Sequence, residues 1–278
     1  MGQAVRPYDL ATAAGDFPPW EGPPRRTILV CSHPRSGSTL LGEAITRAGG
    51  LGAPLEYFHR GYRPKLQDRL NATSLDDYVA AVRRCRTDPS GVFSVKLFWQ
   101  DLEELAGERF ASDQPPFGQL AAGDRAAYSW IIEIVRDLFP NPTFVHLARK
   151  DRVRQAVSAL MAEQTGEWRS FQEGGRDGAG APAYQFERLQ RLIGFGDYCH
   201  RHWRALFDVL DVQPYALTYE ALDADYAGTV GPLLQYLGAA APPAAPRLRR
   251  QSDAASEALV LRFLKDEDRS RSRPTSAG

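Results

Sequence analysis

The chain has 278 residues, 43% of them hydrophobic and 24% charged, which is the make-up of a globular protein large enough for a substantial core. Its 34 basic and 34 acidic residues cancel, so bulk charge offers nothing to nucleic acid or to an anionic membrane, and any anion site must be local. No apolar run approaches the roughly 20 residues that span a bilayer, and Cys31, Cys85 and Cys199 are too few and too dispersed for a disulfide framework, which points to a cytoplasmic protein.

The first residues, MGQAVRPYDLATAAGDF, contain no apolar signal-peptide core. Residues 1–26 place Pro18, Pro19, Pro23 and Pro24 around Trp20 and read as an irregular arm. Thr27 to Ser32 is a short apolar run with the character of a buried strand, and residues 39–48 have a helical pattern closed by Gly49-Gly50. Ser74 caps a further helix, with Asp76 and Asp77 in its first turn and Leu75, Tyr78, Val79 and Val82 recurring at helical spacing. Gly91 to Trp99 is β-branched and aromatic, a second strand. A helix through Tyr128, Ile131, Ile132 and Val135 leads to a third strand, Thr143 to Leu147, and then to a helix marked by Val153, Ala156, Val157 and Leu160.

Residues 173–182 are rich in glycine and read as a flexible connection. A long helix follows from Phe186 to Leu210, then a fourth strand at Pro214 to Thr218, a helix over 226–237, a linker over 239–246 and a last helix from Ser256 to Leu264. Alternating strands and helices predict an α/β fold, a P-loop-like three-layer domain with a central, mostly parallel sheet flanked by helices. It spans residues 27–264 as one domain and leaves 265–278 as a polar tail.

Ligands of such sheets sit beyond the carboxyl ends of the strands. Three chemistry-bearing stretches start there, at Ser32, Lys96 and Ala148. The first, Cys31-Ser-His-Pro-Arg-Ser-Gly-Ser-Thr39, is a loop that opens a helix, where unpaired N–H groups and the helix dipole favour an anion. Gly37 permits close approach, the hydroxyls of Ser36, Ser38 and Thr39 can donate, and Arg35 offers a planar fork of donors. The nucleoside triphosphatase loop G-x-x-x-x-G-K-[ST] is not present, because its first Gly and its Lys are missing; metal-dependent phosphoryl transfer is therefore disfavoured. Arg149, just past the third strand, and Ser158, nine residues on, form a candidate second anion clamp. Lys96 lies in an apolar strand, where a buried lysine needs an anionic partner. Arg247, Arg249 and Arg250 make a local basic cluster, and Trp168 reads as a core aromatic. No Cys pair has zinc spacing, and His200 and His202 point to different faces of their helix, so no metal site is expected.

Six pieces follow one another along the chain: Pro34-Arg-Ser-Gly-Ser-Thr-Leu-Leu41, Pro54-Leu-Glu-Tyr-Phe58, Val95-Lys-Leu-Phe-Trp99, His146-Leu-Ala-Arg149 with Gln155-Ala-Val-Ser158, Trp168-Arg169, and Arg250-Gln-Ser-Asp253 with Ser256-Glu257. Together and in this order they resemble the sulfotransferases that use 3′-phosphoadenosine 5′-phosphosulfate (PAPS), and most closely the bacterial trehalose 2-sulfotransferase family. The resemblance implies that Arg35, Ser36, Gly37, Ser38 and Thr39 cradle the 5′-phosphosulfate and that Arg149 and Ser158 hold the 3′-phosphate; from the basic cluster, Arg250 is the candidate for an extra contact to that phosphate. It also implies that Glu56 is the general base and that Lys96 lies near the sulfuryl group. PAPS would be the co-substrate, no metal would be required, and the partner would be a small-molecule hydroxyl acceptor such as a sugar or natural product. A homodimer is a further implication. The pattern departs at Lys150, where the family usually has the proline of Arg-Pro-Asp, and between residues 60 and 90, which face the acceptor. Two other readings stand beside this one: a P-loop kinase of small molecules, and a non-catalytic adenine-nucleotide-binding protein.

Overall fold

The structure is a computed structural model that describes residues 10, 12–110, 118–122, 125–126, 128–166, 168, 182–246 and 254–272. Among the described residues four strands form one parallel sheet: β1 (Arg26–Ser32), β2 (Val92–Phe98), β3 (Pro142–Ala148) and β4 (Tyr215–Thr218), in the spatial order β2-β1-β3-β4. Val30 pairs with Lys96 on one side of β1, and Cys31 with His146 on the other. Every residue of β2 is buried, as expected of a strand covered on both faces.

The helices in chain order are α1 (Ser38–Ala48), α2 (Arg63–Arg69), α3 (Leu75–Arg86), α4 (Trp99–Phe110), α5 (Ser129–Leu138), α6 (Arg152–Thr165), α7 (Phe186–Leu210), α8 (Tyr219–Ala224), α9 (Tyr226–Leu237) and α10 (Ala254–Arg271). Alternate strand residues feed two cores. Leu29, Cys31, Phe93, Val95 and Leu97 pack with α3, α4, α5 and α7, whereas Ile28, Val30, Val145 and Leu147 pack with α1 and α9. A third cluster joins α6, α7 and α10 through Leu160, Leu189, Val260 and Phe263. The α/β architecture with a parallel sheet between helical layers is thus the one the alternation predicts. No helix among the described residues is long and apolar enough to cross a membrane.

Three helices, α2, α4 and α8, go beyond the expected elements. Helix α4 starts at Trp99 with no turn residue between it and β2; instead the Asp101 carboxylate accepts the Phe98 N–H at 2.8 Å and caps the helix from within. Helix α10 runs to Arg271, past the expected end at Leu264, with Arg271 paired to Glu267 one turn back.

The arm before β1 docks near the amino ends of the strands. Phe17 N–H and Trp20 N–H donate to the carbonyls of Cys85 and Arg84, and Asp16 pairs with Arg69 and with the fully buried Arg86.

Candidate active site

The turn between β1 and α1 is built around two left-handed residues, Arg35 (φ 65°) and Gly37 (φ 83°). A Cβ on Gly37 would lie 2.8 Å from Tyr219 Cδ2, so the position demands glycine both for its backbone angle and for its neighbour. Among the described residues no side chain caps α1, so its first N–H groups are not engaged by a capping side chain. The turn is braced from outside: Gln155 Nε2 donates to the Pro34 carbonyl at 2.9 Å, and Arg149 Nη1 donates to the Arg35 carbonyl at 3.0 Å. Ser36 is buried and its hydroxyl donates to the His33 carbonyl at 2.6 Å, so it fastens the turn. Ser38 is buried in the first turn of α1.

Arg35 leaves its own turn. Its Nε donates to Ser158 Oγ at 2.9 Å, and its Nη1 donates to the Trp168 carbonyl. The two clamps read separately from the sequence are therefore one cluster, in which Arg35, Arg149 and Ser158 meet. Arg149 sits just beyond β3 with its guanidinium 4.5 Å from the centre of the Tyr219 ring. Its Nε has no hydrogen-bond partner and it forms no ion pair among the described residues, while burial holds it below the ordinary arginine value. Arg149 is thus a half-buried cation with one donor unengaged among the described residues.

On the other side of the turn, Lys96 Nζ lies 2.6 Å from Glu56 Oε1 and donates to Thr39 Oγ1 at 3.2 Å. The lysine side chain is wholly buried and the Glu56 side chain is 9% exposed. Leu55 forms an isolated parallel bridge with Val95 and accepts the Lys96 N–H at 3.0 Å, which pins Glu56 against the edge of β2. Thr39, Lys96 and Glu56 are thus linked in one chain of contacts.

A cleft of about 450 Å³ opens between α2 and α4, lined by Phe58, Arg63, Gln67, Asp68, Glu104 and Glu108 among others. Phe58 ties it to the turn after Glu56, whose carbonyl accepts the His59 N–H at 3.2 Å. Arg63 is paired bidentately with Glu108.

Beneath the turn lies a cluster of three buried histidines, His33, His146 and His200, with ring centres 5.9 and 6.1 Å apart. Among the described residues, His33 Nδ1, His146 Nε2 and both nitrogens of His200 have no hydrogen-bond partner. Burial brings their pKa values down to about 3, 4 and 2 respectively, so all three are neutral. His202, two residues from His200, turns to a different neighbourhood, stacking on Trp99 and bonding Tyr128 Oη at 2.6 Å.

Trp168 is not in the core as its type suggested; it is 42% exposed, and its backbone serves Arg35. Arg250 and the glycine-rich residues 174–180 lie outside the described residues. Two site residues escaped the sequence reading: Tyr219, under Arg149, and Glu220, whose carboxylate accepts the N–H groups of Lys150 and Asp151 at 2.9–3.1 Å. They follow β4 directly, so the strand-end rule that singled out the other three stretches would have found them too.

Comparison with known proteins converges on one family. The family model for Stf0 sulphotransferase matches residues 27–266. The trehalose 2-sulfotransferase of Mycolicibacterium smegmatis is 30% identical over 87% of this chain and 95% of its own length. That of Mycobacterium tuberculosis is 30% identical over 97% of this chain and 98% of its own. Among solved structures, the sulfotransferase domain of the olefin synthase from Synechococcus PCC 7002 is 18% identical, covers 94% of this chain and 93% of that one, and superposes with a TM-score of 0.36, too slight a likeness to argue from.

Proposed function

The chain belongs to the Stf0 sulphotransferase family, and on that premise we propose that it transfers a sulfuryl group from PAPS to a hydroxyl of a carbohydrate or other small natural product, with Glu56 as general base. The observation that carries this reading is the Glu56–Lys96 contact at 2.6 Å, linked through Thr39 to the anion-binding turn.

The donor supplies a sulfuryl group already activated on a phosphate leaving group. The acceptor oxygen bonds to sulfur as the sulfur–oxygen bond to the 5′-phosphate breaks, the electron pair leaves with that phosphate, and the hydroxyl proton passes to Glu56. The chain's part is to position and to balance charge, as in the related phosphoryl transfers. The amides of residues 35–39 and the uncapped start of α1 suit the phosphosulfate end. Arg149, with its idle Nε, and Ser158 suit the 3′-phosphate, and Arg35 spans both. Lys96 orients the carboxylate of Glu56 and brings a positive charge to the place where negative charge shifts toward the leaving oxygen.

The cleft beside Phe58 supports a polar acceptor, because its lining of arginine, glutamine and carboxylates can both donate to and accept from hydroxyls. The names of the two relatives support a sugar as the first acceptor to try. The test is a mass-spectrometric screen of sugars, glycosides and alcohols with PAPS supplied. A product heavier by one sulfuryl group, formed without ATP or magnesium, is expected. Turnover only with ATP and magnesium would replace this reading with the kinase one.

A further inference from the structure

The β4–α8 corner stands between the two anion-binding elements and touches both. The Tyr219 ring lies where a Cβ on Gly37 would be, 2.8 Å from Cδ2, and carries the Arg149 guanidinium 4.5 Å above its centre. Arg149 in turn donates to the Arg35 carbonyl, which closes a triangle of turn, strand end and corner. The next residue, Glu220, accepts the Lys150 N–H with both oxygens, at 2.9 and 3.1 Å, and the Asp151 N–H at 3.0 Å. Asp151 is itself the N-cap of α6, the helix that bears Ser158.

We infer that Tyr219 and Glu220 are positioning residues that hold Arg149 and the start of α6 at a fixed distance from the turn at Arg35–Thr39, so that a donor is recognised by its two phosphates together. This rests on the donor assigned above. The physical need is plain at Lys150. A proline there, as in the family pattern, would fix φ but carry no N–H. Lysine leaves the backbone free to turn, and its N–H is tied to Glu220 instead. Glu220 thus supplies the rigidity that a proline ring would supply. The aromatic face of Tyr219 does a parallel service for Arg149: it offsets part of the cost of a half-buried cation without taking its donors, which a carboxylate would occupy.

The test measures thermal stabilisation by 3′-phosphoadenosine 5′-phosphate and by AMP, together with KM for PAPS and for the acceptor, in Tyr219→Leu, Tyr219→Phe, Glu220→Ala and Glu220→Gln. Tyr219→Leu and Glu220→Ala are expected to bring the bisphosphate shift down toward the AMP shift. They should raise KM for PAPS about tenfold while KM for the acceptor stays put, in keeping with the loss of one cation–π contact or one charged brace. Phe at 219 keeps the ring face and is expected to restore most of what Leu loses. If Tyr219→Leu does not fold, Glu220→Gln, which keeps the size but weakens the brace, is expected to lose part of the bisphosphate shift alone. Wild-type shifts and donor KM in the variants would overturn the inference, as would an equal rise in both KM values. A wild-type protein that ignores the bisphosphate would overturn the donor reading itself, which is a different result from variants that match a responsive wild type.

Discussion

Lys96 Nζ and Glu56 Oε1 are 2.6 Å apart in a pair whose lysine side chain has no exposed surface. The structural part of this pair and the catalytic part proposed for it can be separated. With Glu56 as the proposed base, Glu56→Gln is expected to lower turnover by about a hundred- to ten-thousand-fold with nucleotide binding retained. It also strands a buried ammonium, at a cost of about 3 kcal/mol. Adding Lys96→Met should recover the stability without recovering the activity. Calorimetry and rate assays on the single and double variants check this, and a double variant with near-normal turnover would remove Glu56 as base.

Among the described residues Arg149 has an idle Nε and a guanidinium packed on the Tyr219 ring with no carboxylate paired to it. In the proposed reading a 3′-phosphate engages that donor. The bisphosphate product is therefore expected to raise the unfolding temperature well beyond what AMP does at equal concentration. In Arg149→Ala the two nucleotides should become nearly equal. A wild-type protein that shifts equally with both would end the assignment of Arg149 and Ser158 to the 3′-phosphate.

Much of this arrangement was legible in the sequence. Short apolar or β-branched runs marked all four strands, and the rule that ligands sit at carboxyl ends of strands pointed to Arg35–Thr39, Lys96 and Arg149. What escaped has physical reasons. Helix α4 begins without a break because Asp101 caps it from inside, where no Ser or Thr announces the start. The partner of Lys96 is set by the pairing of Leu55 with Val95, a contact between segments 40 residues apart that no local pattern encodes. Arg35 has a left-handed backbone that sends its side chain toward α6, and nothing in Pro-Arg-Ser-Gly discloses that direction. Trp168 shows the limit of residue type as a guide, since its backbone and not its ring meets Arg35.

Gly37 is the residue on which the turn closes. Its φ of 83° is costly for any side chain, and the Tyr219 ring occupies the space a Cβ would need. Gly37→Ala is expected to cost about 1–2 kcal/mol from the backbone alone, with a further loss as Tyr219 is pushed from under Arg149. The signature is a rise in KM for PAPS that exceeds any rise for the acceptor. An alanine variant with unaltered donor KM would show that the turn can shift without consequence for the anion site.

The buried histidines make stability depend on pH with a sign that can be worked out. His33, His146, His200 and His202 have folded pKa values near 3, 4, 2 and 4, all below the ordinary 6.5 and all lowered first by burial. Below about pH 6.5 the unfolded chain binds protons at these four sites and the folded chain does not, so stability falls as pH drops from 6.5 toward 4. Each histidine contributes about 1.4 kcal/mol per pH unit in that window. Asp101 acts the other way, because burial raises its pKa and the folded state keeps a proton that the unfolded state releases above its ordinary value. Asp101 therefore opposes the acid loss that the histidines cause. His200 is the residue to change, since neither ring nitrogen has a partner among the described residues and an apolar ring can take its place. His200→Phe is expected to flatten the slope of unfolding free energy between pH 6 and 4 by about one proton, with a higher urea midpoint at pH 5 and little change at pH 8. Parallel slopes for the variant and the wild type would mean that His200 takes up its proton without unfolding.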